Sequence, residues 1–158
     1  MTTRTMTITT PTDYDIVITR EFNAPRRFVF EAWTNPEYLP QWMLGPDGWT
    51  MTICEIDLRP GGPWRCHWRN TEGAEMNLSG TYREVTPPDR VVYTESWGDP
   101  WPESLCILDF TEQNGVTTMV NTLRYPSKEA RDAAIQTGMA DGMAATFDRL
   151  DAFLASLA

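Results

Sequence analysis

Apolar and polar positions recur with two different periods along the chain, and each change of period marks an element boundary. From Tyr14 to Phe22, YDIVITREF alternates in steps of two, the pattern of a strand with one buried face. NAPRRFVFEAW then shifts register, so that Phe28, Val29, Ala32 and Trp33 fall on one helical stripe, with Pro25 suited to a first helical position. Asn35 as a cap, Pro36 behind it and Glu37 in the first turn predict a second short helix running to Trp42. The turn-rich MLGPDGW follows. Then come WTMTICEIDL, PWRCHWR, MNLSGTYREV, RVVYTESW, SLCILDF and VTTMVNTLRY, each closed by a Gly, Pro, Asn or Asp-rich link. Strands joined so tightly predict a meandering antiparallel sheet.

The last change of period is lasting. Ser127 is a cap, Glu129 lies in the first turn, and Met139, Met143, Phe147, Leu150, Leu154 and Leu157 form one apolar stripe, which predicts a single long C-terminal helix. Gly138 and Gly142 interrupt it one turn apart. Each costs about 1 kcal/mol against alanine, so a packing or access reason is expected. The order predicts an α+β fold: a seven-stranded curved antiparallel sheet, two short helices after strand 1, and a long helix at the end. One sheet face must be covered, and only the last helix is long enough to cover it. The gap between the two is the candidate site. Residues 1–13 read as a flexible arm and 14–158 as one domain.

Parity along each strand assigns the walls of that gap. In PWRCHWR, Trp64, Cys66 and Trp68 share one face, while Arg65, His67 and Arg69 share the other. Burying two unpaired guanidiniums costs several kcal/mol each, so the aromatic face turns inward and His67 outward. A histidine between two arginines and outside any cleft is poorly placed as a general base. Met76, Leu78, Gly80 and Tyr82 form the inward set of the next strand, and Tyr93 and Trp97 carry Glu95 inward with them. Cys106, Leu108 and Phe110 fit the inward set of SLCILDF, although Leu105 and Ile107 leave the opposite face open. In the second strand Ile53 opposes Ile56 and Leu58, which a bulge or burial of both faces would explain. A carboxyl beside Tyr93 and Trp97 is either a polar anchor or acid/base in the cavity, or a carboxylate at its mouth in water or paired with Arg59 or Arg124. Trp33 and Trp42 read as plugs at one end of the sheet, Trp49 and Trp101 as loop residues. Met139 and Met143 suit either helix core or an adaptable pocket wall.

Composition narrows the function classes. The chain has 158 residues, 41% apolar and 22% charged, with seven tryptophans for a core or a cleft. Its net charge of −9, with 13 basic against 22 acidic residues and no basic run beyond Arg26-Arg27, argues against nucleic acid and against a polybasic membrane patch. Cys54, Cys66 and Cys106 show no C-x-x-C spacing and the chain has one histidine, so no metal site is expected and the thiols read as buried and reduced. The Thr-rich start has no apolar core of a signal peptide, and no stretch approaches the roughly 20 apolar residues of a membrane span. A cytoplasmic protein is expected, with no cofactor.

REFNAPRRFVFEAWTNPEYLPQWMLGPDGW, IDLRPGGPWR, the G-x-Y…PPDRVVYT segment and PSKEARDAAIQTGMADGM…FDRLDAFLA together resemble the activator-of-heat-shock-protein-90-ATPase-like branch of the START/birch-pollen-allergen (SRPBCC) superfamily. The resemblance runs from about residue 15 onward and implies a helix-grip fold with a deep hydrophobic cavity. It implies less about function, since that superfamily holds carriers, receptors, cyclases and co-chaperone domains. Three functions follow as expectations. The first is a carrier or sensor binding a small hydrophobic or aromatic molecule, with Trp64, Cys66, Trp68, Met76, Leu78 and Tyr82, together with Tyr93, Glu95, Trp97, Leu108, Phe110, Met139 and Met143, as its expected lining. The second is a cyclase or hydrolase using Glu95 as acid/base with Tyr82 or Tyr93. The third, by family analogy alone, is a chaperone-associated interaction module, although no further domain for engaging a chaperone is read in the chain. A homodimer is expected from the aromatic-rich sheet.

Overall fold

The alternation read from the sequence becomes alternating burial in the strands. We describe a computed structural model covering residues 6–98 and 101–157. The strands are β1 (Thr7–Thr9), β2 (Asp15–Phe22), β3 (Trp49–Ile56), β4 (Pro63–Asn70), β5 (Glu75–Thr86), β6 (Arg90–Glu95), β7 (Ser104–Gln113) and β8 (Val116–Arg124). The helices are α1 (Arg26–Thr34), α2 (Lys128–Gln136) and α3 (Met139–Ser156). All strands join one antiparallel sheet in the order β1-β2-β8-β7-β6-β5-β4-β3. From β3 to β8 it is a simple meander. β2 closes the other side by pairing with β8, and it turns Ile16, Ile18 and Phe22 into the core.

Two irregularities help to curve the sheet. Pairing shifts between Met51 and Ile53, and again between Tyr82 and Glu84, and an extra residue at such a point bends the strand and raises its twist. The first is the bulge that the split apolar pattern of β3 called for. Gly80 allows a third close approach. The Trp64 indole donates to the Thr94 carbonyl at 3.1 Å directly over it, and a Cβ at position 80 would stand 1.7 Å from that oxygen. Only glycine leaves room at this position for that indole N–H and carbonyl.

Helix α1 plugs one end. Phe30 packs edge-on against Phe110 at 6.0 Å, and Trp33 against Trp42 at 4.9 Å. Trp42 is fully buried and its Nε1–H donates to the Ala32 carbonyl at 3.0 Å, which satisfies the polar end of a core indole. Helix α3 lies across the sheet with Phe147, Leu150 and Leu154 inward. Arg20, buried on β2, ties the two layers: its Nη1 lies 2.9 Å from Asp148 Oδ1 and 3.4 Å from the Ala144 carbonyl on α3. Arg131 of α2 reaches across to the Thr12 carbonyl at 2.7 Å.

The expected architecture needs five corrections. The sheet has eight strands, because Thr7–Thr9 in the expected arm pairs with Val17–Thr19; residues 1–5 lie outside the described residues. The expected helix from Asn35 to Trp42 is a turn followed by a single 3-10 turn, Leu39–Gln41. Asn35 Oδ1 does accept from the Glu37 amide, but Pro40 has no N–H for a second turn. The long final helix is two. Gly138 adopts a left-handed φ of +78°, which terminates α2 and opens α3. Finally, Pro25 stands just before α1 rather than inside it, and Trp49 begins β3 rather than lying in a loop. Ser127 caps α2 as expected, its Oγ accepting from the Ala130 amide at 3.1 Å. Among the described residues no helix is long and apolar enough to cross a membrane.

Candidate functional site

Curving the sheet away from α2 and α3 leaves a cavity of about 1020 Å3 between them. Strands β4, β5 and β6 form its aromatic wall. Trp64, Tyr93 and Tyr82 make a continuous edge-to-face series, with ring centres 5.5 Å and 6.1 Å apart. Trp68 stacks on Trp97 at 6.0 Å, and its Nε1–H is satisfied by the Met43 carbonyl at 2.8 Å. Cys66, Met76, Leu78 and Leu108 complete the sheet side, and Met139 and Met143 face them from α3. Trp97 and Trp101 also line the cavity yet remain 45% and 50% exposed, so they rim its mouth.

Of the thirteen residues assigned to this wall from sequence, twelve line the cavity. Phe110 does not; it is buried in the core against Phe30. Its parity was read correctly, but it lies beyond the cavity end, where α1 already covers the sheet. Trp33, read as a plug, both packs on Trp42 and lines the cavity, as do Asn121 and Leu123 of β8 and Tyr125 just after it. The three β8 positions share one face by the same alternation, so parity could have found them. Gly142 lines the cavity with open space where a Cβ would stand, and nothing lies within 4 Å of a Cβ at Gly138. Neither glycine serves close helix–sheet packing.

His67 stays on the outer face, its Nε2 3.4 Å from Glu75 Oε1 and its ring beside Thr52. Glu95 points into the cavity, and neither expected arginine meets it. Arg59 pairs with Asp57, and Arg124 forks onto Asp15 at 2.9 and 3.2 Å. The neighbour of Glu95 is instead the Cys106 thiol, 3.6 Å from its Oε2. Burial raises the Glu95 pKa above the usual carboxylate range, and hydrogen bonds from Cys106 and Trp97 only partly offset this. Burial, reinforced by Cys106 and Glu95, pushes the Tyr93 hydroxyl up, and Tyr125 rises for the same reasons. Burial and the nearby Cys66 and Cys54 raise Tyr82. In each of these groups burial thus favours the neutral form.

Two further features complete the site. Cys54 stands directly across from Cys66 in the β3–β4 ladder, and their hydrogen bond favours a proton on Cys66, whose pKa rises. Asn121 is 2% exposed and its Oδ1 has no hydrogen-bond partner. Among the described residues no group of three or more His, Cys, Asp or Glu side chains is arranged to hold a metal ion.

Comparison with known proteins agrees with this geometry. A crystal structure from Rhodobacter sphaeroides superposes with a TM-score of 0.90 at 30% identity, covering 98% of this chain and all of that one. A solution structure from Staphylococcus epidermidis gives 0.83 at 26% identity, covering 97% and 96% of the two chains. The AHSA1 protein from Silicibacter pomeroyi gives 0.73 at 25%, covering 91% and 99%. No curated protein matches the sequence. The family described as Activator of Hsp90 ATPase homolog 1-like protein matches over residues 23–155. An eight-stranded sheet gripping a C-terminal helix pair, matched over most of its length, makes this chain a member of the Activator of Hsp90 ATPase homolog 1-like family, within the SRPBCC-type superfamily.

Proposed function

We propose that this protein is a non-catalytic carrier or sensor of a small hydrophobic or aromatic molecule, working in the cytoplasm. The observation that carries the reading is the cavity of about 1020 Å3 walled by Trp64, Trp68, Tyr82 and Tyr93. Its size lies at the upper end of small-molecule sites, and its lining of aromatics with few polar groups is the common form of such sites. Binding would draw on burial of apolar area, at about 25 cal/mol per Å2, with Met139 and Met143 adapting to the occupant. Native mass spectrometry of the protein as purified tests this. An excess mass that is lost on denaturation supports a held molecule. A clean mass, together with unchanged tryptophan emission across a panel of apolar aromatic compounds, overturns the reading.

Glu95 favours a second reading, in which the carboxyl serves as acid/base for a cyclase or hydrolase reaction. Turnover abolished in Glu95→Gln with binding retained separates it from the first. The family name supports a third, contact with a chaperone, and a chaperone ATPase rate unaffected by the protein sinks it. The same native spectrum reports whether the chain is the expected homodimer.

A further inference from the structure

Part of the polar lining of the cavity is clustered. Register places Tyr93 opposite Cys106, and Cys106 opposite Leu123. In the next row Glu95 stands opposite Ser104, and Leu105 opposite Arg124 brings Tyr125 alongside Ser104. Alternation turns Tyr93, Glu95, Ser104 and Tyr125 to the same face, and all four line the cavity. Four side-chain O–H or carboxyl groups thus lie together on one part of a wall whose lining also includes Tyr82, Asn121 and Arg149. None of them lies within ion-pair distance of a cation among the described residues. Arg124, opposite Leu105 in the ladder, is on the outer face and paired with Asp15. Arg149 is the arginine of the cavity lining, and its partner is Asp47 at 3.8 Å.

Resting on the carrier reading above, we propose that this cluster is the head-group subsite, and that it selects an uncharged ligand carrying a carbonyl oxygen. Phenols and a carboxylic acid are strong hydrogen-bond donors and weak acceptors, so a good acceptor that need not donate is their best complement. A carboxylate or phosphate head is disfavoured. It would lose its water beside a carboxyl, with Arg149 of the lining already facing Asp47, in a protein of net charge −9. A plain hydrocarbon would fill the apolar part but leave the donors unanswered. Burial favours the protonated, donating forms of Tyr93, Tyr125 and Glu95.

Three probes of similar shape test the assignment by tryptophan-emission titration at neutral pH: benzophenone, diphenylmethane and the diphenylacetate anion. The ketone is expected to bind about tenfold more tightly than the hydrocarbon, the effect of one or two net hydrogen bonds, and the anion more weakly than either. The carbonyl stretch of bound benzophenone is expected below its value in alkane solvent. Tyr125→Phe and Glu95→Leu should each reduce the ketone's advantage and the stretch shift, with diphenylmethane affinity unchanged. Tyr125→Phe removes one oxygen from a half-buried ring, so it keeps the test alive if Glu95→Leu does not fold. Equal affinity for ketone and hydrocarbon, or tightest binding of the anion, overturns the subsite while leaving the carrier reading intact. If none of the three binds, the carrier reading falls and the subsite with it.

Discussion

Glu95 holds its proton more firmly in the folded protein than in the unfolded chain, because burial outweighs its hydrogen bonds from Cys106 and Trp97. Its contribution to stability is therefore fully present below the unfolded carboxyl pKa and is lost as pH rises through the raised folded value. Glutamine at this position cannot ionise. Urea midpoints of Glu95→Gln and the parent protein are expected to lie closest near pH 4 and to diverge toward pH 8, with the variant the more stable. Parallel profiles would show that the carboxyl is not desolvated. Asn121 gives a second test at this scale. Its Oδ1 is buried without a partner, so leucine removes a polar group that has nothing to lose. Asn121→Leu is expected to raise stability by about 1 kcal/mol in chemical denaturation, and a decrease would reveal a partner for the amide.

At the scale of elements, the two glycines of the final helices should respond with opposite signs. Gly138 occupies a left-handed conformation at the α2–α3 junction, so Gly138→Ala is expected to cost about 1 kcal/mol, although nothing crowds its Cβ. Gly142 is an ordinary helical position facing open space, so Gly142→Ala is expected to stabilise by up to about 1 kcal/mol. The layer contact is tested by Asp148→Ala, which leaves buried Arg20 without its carboxylate. A loss of about 2 kcal/mol is expected, toward the lower side for a buried ion pair because Asp148 itself is 60% exposed. These elements also show what the sequence made legible. Period-two patterns over six to twelve residues placed β2 to β8, and the arginines flanking His67 oriented β4 correctly, because burying them unpaired is too costly to be ambiguous. Elements decided by one residue were harder. Pro40 limited a turn that Asn35 and Pro36 announced as a helix, and Gly138 split a stripe that otherwise ran unbroken. The neighbours of Glu95 depended on which arginine found a carboxylate first, a matter of register between strands distant in sequence. The short β1 spans three residues, all exposed, too few for a period to be read, and is placed by its pairing with β2.

For the whole molecule, a cavity of this size is an uncollected contribution to stability. Its walls lack partners on one side, and an occupant supplies them. Because an occupant binds only the folded chain, a ligand at about 100 times its dissociation constant should add about 2.7 kcal/mol. For a chain of this length that corresponds to a melting temperature higher by roughly 5–10 °C. A thermal shift that fails to grow with ligand concentration would place the binding outside the cavity. The pairing of β2 with β8 carries a different consequence, one of timing. Asp15 and its partner Arg124 are 109 residues apart, so at about 5–20 residues per second a ribosome needs on the order of 5–20 s to deliver the second strand after the first. Throughout that interval Ile16, Ile18 and Phe22 have only the three-residue β1 beside them, and neither helix of the final pair exists to cover them. This fold is therefore assembled late and all at once. β2 spends its first seconds as an apolar edge exposed to whatever else is in solution.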